Sequence, residues 1–275
     1  MRTYNIGLIG RGKMSKSFQK EIKKSKKFNI IKIISKRDIT KKGQKIKEFF
    51  KSNKFDLVII TSSVSSHFKY LSYAMKNNKN IIVEKPLVEN FNQLKKLHKL
   101  NKNFKQKIMI HHNDVLNFEK FKIFKNSYRK LKKIEMIYGK NEITNNYKKP
   151  FFDWLPHPLA LMVKYFGYPK KFNILKYYRK KEKNKILEEL QIEFLFGDLK
   201  IFITFSNFLK NKTKKIFIFD SLKKKIYDGY KKKNRRSIKI LLEKFYKEDK
   251  INEILLFFKT YELLFKIDNK IKNLR

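Results

Sequence analysis

Three short groups of residues carry functional side chains at spacings that chemistry can use. In Glu84-Lys85-Pro86 an ammonium is held between a carboxylate and a ring with fixed φ. Such a lysine can stabilise a developing alkoxide or tune a neighbouring acid/base group, and Pro86 fixes the direction in which it points. In Asp153-Trp154-Leu155-Pro156-His157 a carboxylate and an imidazole lie four residues apart at the start of a helical stretch, so both can face one pocket. Histidine is suited to proton transfer near neutral pH. In Gly10-Arg11-Gly12-Lys13-Met14 a glycine turn joins an apolar run to a helix. That turn can bring backbone N–H groups and a positive helix end against a phosphate.

These groups need elements to position them. Tyr4–Ile9 is nearly all apolar, as a buried parallel strand should be. Met14, Phe18 and Ile22 then recur every four residues along a helix over Met14–Lys26. Strands are predicted at Asn29–Ser35, Asp56–Thr61, Asn80–Glu84 and Ile108–His112, and helices at Lys42–Lys51, Ser66–Asn77, Asn90–Asn103 and Phe118–Lys130. This alternation indicates a parallel, doubly wound sheet. The rhythm then changes. A strand at Ile134–Gly139 and a helix at Pro156–Phe166 precede strands at Phe172–Arg179, Leu187–Phe196, Lys200–Asn207 and Lys215–Phe219, with a hairpin at Gly197-Asp198. Helices at Ser237–Tyr246 and Ile251–Asn269 end the chain. The fold class is α/β, with an N-terminal Rossmann-type doubly wound sheet and a C-terminal α+β domain whose sheet is mostly antiparallel. The expected domains are 1–115 for the nucleotide and 116–275 for substrate and oligomerisation.

The strand–turn–helix context makes Gly7-Leu8-Ile9-Gly10-Arg11-Gly12 a dinucleotide fingerprint. Gly10 permits the tight turn, Gly12 lets the backbone approach the pyrophosphate, and Ser15 replaces the usual third small residue, which serves helix–strand packing. The end of the second strand selects the cofactor, and it reads Ile34-Ser35-Lys36-Arg37-Asp38. Ser35 and Arg37 favour NADP(H), whereas Asp38 reaching a ribose is the route to NAD(H).

From Asp56 to Pro86 a strand ending in Thr61-Ser62-Ser63 is followed by His67 and then by Glu84-Lys85-Pro86. Together with the glycine loop and the Asp153/His157 element, this order resembles the glucose–fructose oxidoreductase, inositol dehydrogenase and MocA family. The resemblance runs motif by motif to about Gly167. It implies cofactor contacts from Gly10 to Met14 and from Thr61, Ser62, Ser63, His67, Glu84 and Lys85. It also implies catalysis by Lys85, Asp153 and His157, with His157 as general acid/base and Asp153 orienting it or binding a substrate hydroxyl. Trp154 would offer an apolar wall, and Asn113 a further substrate contact. One of His111 and His112 at most would face the cleft, because neighbours on a strand alternate sides. Two departures stand out. Pro158 follows His157 where the family often has an acid shortly after, and the stretch from Arg37 to Asp56 lacks one strand–helix unit.

Composition bounds the rest. With 69 basic and 24 acidic residues the formal charge is +45, but lysines are spread along nearly every segment and only eight of the cations are Arg. That distribution argues for solvated surface and against a nucleic-acid interface, which favours localised Arg forks. No cysteine is present, which excludes disulfides and thiolate metal sites, and no metal centre is expected. No apolar run reaches the roughly 18–20 residues of a membrane helix, so a soluble, cytoplasmic protein is expected. The function read from all this is hydride transfer between NAD(P) and the CH–OH or carbonyl carbon of a sugar, cyclitol or nucleotide-linked sugar, in a homodimer or homotetramer. The alternatives are a non-catalytic NAD(P)-binding sensor and a biliverdin-reductase-like reductase of a double bond or imine.

Overall fold

The computed structural model describes residues 2–35, 44–51, 54–118, 131–140, 150–182, 185–220, 224–230, 237–249 and 251–274. The chain divides into two compact units. The first holds Met1–His112 with Ser237–Phe258, and the second holds Asn113–Arg236 with Lys259–Arg275. Where one break after residue 115 was expected, the chain thus leaves the first unit after His112 and returns to it. The return has a physical cause in α8 (Ser237–Lys247), whose Leu241, Leu242 and Phe245 are buried. Phe245 packs edge-on against Tyr4, 5.3 Å between ring centroids.

The first unit is built on a parallel sheet of β1 (Tyr4–Ile9), β2 (Phe28–Ile34), β3 (Leu57–Ile60), β4 (Asn80–Glu84) and β5 (Ile108–His111). Its order is β2-β1-β3-β4-β5, and every pairing is parallel. Leu57 to Ile60 and Ile81 to Val83 are completely buried, which is why these strands read as unbroken apolar runs. β2 is the exception. It lies at the edge and alternates weakly, with Ile31 40% exposed. Among the described residues no strand lies beyond β2, so the sheet has the classic six-strand order without its third strand. The short stretch after Arg37 pointed to this loss. The crossovers are α1 (Lys13–Ile22), α2 (Gln44–Lys51), α3 (Val64–Lys76) and α4 (Phe91–Asn101). Asn90 caps α4 through its side chain, which accepts from Gln93 N–H at 3.0 Å.

The second unit carries a six-stranded sheet in the order β11-β10-β6-β9-β8-β7. The strands are β6 (Leu131–Gly139), β7 (Lys171–Glu182), β8 (Lys185–Phe196), β9 (Leu199–Ser206), β10 (Thr213–Asp220) and β11 (Lys224–Asp228). Only β6 with β9 is parallel; the other pairings are antiparallel. Leu190, Ile192 and Phe194 on β8 and Ile201, Ile203 and Phe205 on β9 are fully buried at alternate positions, giving the sheet one core face. Phe196 pairs with Leu199 across the expected hairpin, and Gly197 has φ +61°. That sign at the first of two loop residues is the pattern of a type II′ turn.

Helices α5 (Asn113–Phe118), α6 (Phe151–Trp154), α7 (Pro156–Phe166) and most of α9 (Ile254–Lys272) complete the unit. The helix expected at Phe118–Lys130 falls outside the described residues after Phe118. β11 and α6 were not anticipated. β11 is a lysine-bearing edge strand in which only Ile226 and Tyr227 are apolar, and α6 is a single turn.

Candidate functional site

On the first unit, the glycine loop follows β1 directly. Gly10 has φ +121°, and a Cβ there would meet Thr61 Oγ1 at 2.7 Å and the Thr61 carbonyl at 2.8 Å. Glycine is therefore required twice over, by conformation and by the close approach of β3. Thr61 fixes that approach, since its N–H and its hydroxyl both donate to the Ile9 carbonyl, at 2.8 and 3.0 Å. Gly12 differs, because a Cβ there would meet nothing within 4 Å. It is the N-cap of α1 and faces open space, as a residue that admits a ligand should. Ser15 is completely buried and donates to the Gly10 carbonyl at 2.8 Å, so it packs the helix and also ties down the loop.

A groove of about 430 Å³ runs along Arg11, Gly12, Lys13, Lys16, Ser17 and Lys20. Backbone N–H groups at a helix start beside four cations suit a pyrophosphate. The residues present thus fit a dinucleotide, whose phosphates Gly10 to Met14 would hold. Ser35 follows β2, and Lys36 and Arg37, on which the NADP(H) choice also rests, lie outside the described residues.

The Glu84-Lys85-Pro86 segment follows β4 with a cis Lys85–Pro86 bond. Its neighbours brace it from both sides. His67, on α3, is 1% exposed; its Nδ1 lies 2.7 Å from the Pro86 carbonyl and its Nε2 2.9 Å from the Ser62 carbonyl. His67 therefore acts as a brace between the loop after β3 and the loop after β4, where a direct cofactor contact was expected. A buried ring with each nitrogen on a main-chain carbonyl has little left to offer a ligand.

Glu84 accepts a hydrogen bond from His111 Nδ1, and His111 Nε2 accepts from the Ser237 hydroxyl at 2.9 Å. This chain fixes the residue before Lys85 through β5 to α8. Of the two adjacent histidines, His111 is taken up by that chain, and His112 is buried with its ring 5.6 Å from Phe257. Ser62 accepts from the Ser66 hydroxyl at 2.8 Å, and Ser63 is the N-cap of α3. Lys85 itself is half-buried at the carboxyl end of β4, where open α/β sheets bind ligands.

The second unit carries Asn113, Asp153, Trp154 and His157. Leu155 keeps helical angles between α6 and α7, with φ −59° and ψ −33°, so Asp153 and His157 remain one helical repeat apart. The break between the two helices follows from Pro156 and Pro158, which have no N–H to donate. Asp153 is half-buried and lies in the single turn of α6. His157 is 7% exposed.

The carboxylate against His157 was not anticipated. Asp114, on α5, places Oδ2 3.0 Å from His157 Nδ1. Lys214, on β10, reaches both oxygens of Asp114, at 3.3 and 3.0 Å. Asp114 is 1% exposed and Lys214 8%. Positions 114, 157 and 214 share no local spacing, so only tertiary structure could assemble them. The one signal was Asp114 next to the His111-His112-Asn113 run at the end of β5. Asn113 accepts from Asn117 Nδ2 through its side-chain oxygen, at 2.8 Å.

Aromatic rings enclose this cluster. Tyr138 on β6 stacks on His157 with ring centroids 6.4 Å apart at 15°, and Trp154 lies 6.4 Å away. The Trp154 ring also has Lys140 and Lys214 ammonium groups 5.6 and 5.7 Å from its centroid, so this wall is a cation–π platform as well as an apolar face. Burial, then Asp114 and the Tyr227 and Tyr230 hydroxyls, push the Tyr138 phenol well above its ordinary range. Burial followed by Asp114 and Asp228 does the same to Tyr227. Both phenols therefore stay neutral at neutral pH.

Residues 4–112 match the family model described as oxidoreductase family, NAD-binding Rossmann fold (GFO_IDH_MocA). No curated protein matches the chain by sequence. Among solved structures, the dehydrogenase MviM from Clostridium difficile is similar at 16% identity and TM-score 0.78, covering 98% of this chain and 100% of that one. An oxidoreductase from Thermotoga maritima is similar at 18% identity and TM-score 0.71, covering 94% of each chain. Biliverdin reductase from Synechocystis sp. PCC 6803, solved with biliverdin and NADP+, is similar at 12% and TM-score 0.71, covering 94% of this chain and 96% of that one. At these identities the likeness is one of fold. No helix among the described residues is long and apolar enough to cross a membrane.

Proposed function

We propose that this chain, which belongs to the Gfo/Idh/MocA family of NAD-binding oxidoreductases through residues 4–112, is a dehydrogenase or reductase acting on a CH–OH or carbonyl carbon. The observation that carries this reading is the His157 imidazole held 3.0 Å from a buried carboxylate. An alcohol losing hydride must also lose its hydroxyl proton, and an oriented imidazole is the group that takes it. When bound, the dinucleotide supplies the hydride acceptor or donor. His157 accepts the hydroxyl proton in one direction and returns it to the carbonyl oxygen in the other. Lys85, held between the Glu84 and His67 braces, provides a positive charge for the oxygen as it gains negative charge. Asp153 binds a substrate hydroxyl, with Trp154 beside it.

Sugars, cyclitols and nucleotide-linked sugars are the proposed substrates, since vicinal hydroxyls suit Asp153, Asn113 and the positive field of a +45 chain favours anionic ones. NADP(H) is the proposed cofactor on the strength of Ser35 and Arg37. Nicotinamide absorbance followed against a panel of these compounds, with each cofactor, tests the reading. Turnover with one class is expected, lost by orders of magnitude in Lys85→Ala and His157→Ala while dinucleotide binding persists. No absorbance change across the panel would overturn it, and a tenfold preference for NADH would overturn the cofactor choice.

The likeness in fold to biliverdin reductase supports a second reading, reduction of a double bond. An acid/base pair such as Asp114 and His157 is the feature that favours alcohol–ketone chemistry over it. Turnover of a linear tetrapyrrole, with none of any hydroxylated substrate, would reverse that preference.

A further inference from the structure

The catalytic reading assigns His157 a proton but leaves unexplained why two further ionisable groups are buried with it. We propose that Asp114 and Lys214 are positioning residues for His157: Asp114 keeps the ring proton on Nδ1 so that Nε2 exchanges the substrate's proton, and Lys214 keeps Asp114 ionised while offsetting its pull on the ring. This rests on His157 being the acid/base group.

Asp114 Oδ2 lies 3.0 Å from His157 Nδ1 as an ion-pair contact and not as an aligned hydrogen bond. A lone pair on Nδ1 would be repelled by an ionised carboxylate at that distance, so Nδ1 is the atom that carries hydrogen. In a neutral imidazole Nε2 then holds the lone pair. Lys214 contacts both Asp114 oxygens, which favours the ionised carboxylate in a site where burial alone would protonate it. The three residues come from α5, α7 and β10, and each is less than a tenth exposed.

The other elements of this unit contribute groups of known sign. Tyr138 on β6 is stacked on the ring, and Tyr227 on β11 and Tyr230 couple to the same buried charges. All three are phenols, neutral at neutral pH. Asp153 lies in α6 one turn before His157, Asp228 ends β11 beside Tyr227, and Lys140 lies over Trp154 on the side of α6. Among the described residues Asp114 is thus the charge in contact with the imidazole, and Lys214 is the charge paired with Asp114.

Their effects on it are opposite. Asp114 stabilises the imidazolium and would by itself make the ring a reluctant proton donor. Lys214 destabilises the imidazolium. Their pulls on the ring thus oppose each other. During oxidation of an alcohol the hydroxyl proton passes to Nε2, the ring becomes a cation, and its Nδ1–H stays beside Asp114. During reduction Nε2 gives that proton to the carbonyl oxygen, and the neutral tautomer returns unchanged.

The test reads the ring directly and needs no substrate. In full-length protein labelled with nitrogen-15 histidine, the two ring nitrogens of His157 are followed against pH, with the signal assigned by its loss in His157→Gln. The native ring is expected to carry hydrogen on Nδ1 and a lone pair on Nε2. In Asp114→Asn the tautomers should mix and the titration midpoint should move to lower pH. In Lys214→Met the tautomers should mix likewise, because Asp114 then takes up a proton and no longer demands the hydrogen on Nδ1.

A native ring with its hydrogen on Nε2 would overturn the proposal, as would a tautomer that stays fixed in both Asp114→Asn and Lys214→Met. If either variant fails to fold, the native tautomer still decides, and Asp114→Glu and Lys214→Arg, which keep the charges, should keep it. Once a substrate is in hand, Asp114→Asn should lower kcat on the order of 10³-fold with KM little changed. A panel without turnover would remove the functional reading and leave the tautomer result standing.

Discussion

The glycine loop of the first unit and the Asp114 cluster of the second handle charge with opposite materials. The loop offers backbone N–H groups and a helix end, and its cations Arg11 and Lys13 are exposed. No ionised side chain has to leave water for it to form. The cluster takes three ionisable residues and encloses them among Tyr138, Trp154 and Tyr227. There each charge costs several kcal/mol of lost hydration unless its partner is present. Binding and stability are therefore separable at the loop and joined at the cluster. A ligand that comes and goes suits the first arrangement. A proton that must be held at one atom requires the second.

The sharpest way to break this contrast is to remove one charge from the cluster. Asp114→Ala leaves Lys214 buried beside an imidazole without its counter-charge, and the expected loss is about 3–5 kcal/mol. Denaturant unfolding monitored by Trp154, the only tryptophan, measures it. A loss below about 1 kcal/mol, the ordinary value for exposed pairs, would mean that the cluster is wetter than its burial suggests.

Gly10→Ala ranks second. The substitution forces a non-glycine residue to φ +121° and drives Cβ to 2.8 Å from the Thr61 backbone. Strain and overpacking of roughly 1–3 kcal/mol each are expected, with dinucleotide affinity falling as the loop shifts. Gly12→Ala should behave differently although it lies only two residues away. Its Cβ meets nothing, so stability should fall by less than about 1 kcal/mol, the difference between glycine and alanine as an N-cap. Binding should still weaken at least tenfold, because the methyl group occupies the space through which a phosphate approaches. Equal effects of the two substitutions on folding would erase the distinction between a glycine kept for the protein and one kept for its ligand.

This contrast also explains what was legible in the sequence. The loop, Ser15, Glu84-Lys85-Pro86 and the buried parallel strands are contiguous, so type and spacing suffice to find them. The short span from Arg37 to Asp56 pointed to one strand–helix unit fewer, and among the described residues no strand lies beyond β2. Asp114 was not legible, because its partners are 43 and 100 positions away and are set by the pairing of β10 with β6. Local spacing offered Asp153 as a carboxylate partner for His157, and it could not reveal Asp114. His67 and Glu84 were readable as important positions, but their function as braces depends on carbonyls and a histidine from other elements. The return of 237–258 to the first unit was hidden for the same reason: an amphipathic helix does not say which core it covers.

The smallest effect concerns Tyr138, and it tests how dry the cluster is. Its hydroxyl is fully buried and has no hydrogen-bond partner among the described residues. Removing that oxygen in Tyr138→Phe should therefore be neutral or slightly stabilising at neutral pH, because an unsatisfied buried hydroxyl costs about 1–3 kcal/mol. The difference should widen in alkali. The native phenol titrates well above the unfolded value near 10 because it is buried and faces Asp114. Below pH 10 both states keep the proton and stability is unaffected. Above it the unfolded chain releases a proton that the native state retains, so native stability falls by up to about 1.4 kcal/mol per pH unit from this residue. Tyr138→Phe removes that contribution, and its unfolding free energy should decline less steeply from pH 10 to 11, with the remaining slope reduced again in Tyr138→Phe/Tyr227→Phe. Parallel curves for the native protein and Tyr138→Phe would show that water reaches the phenol, and with it the charges whose isolation gives His157 a fixed proton.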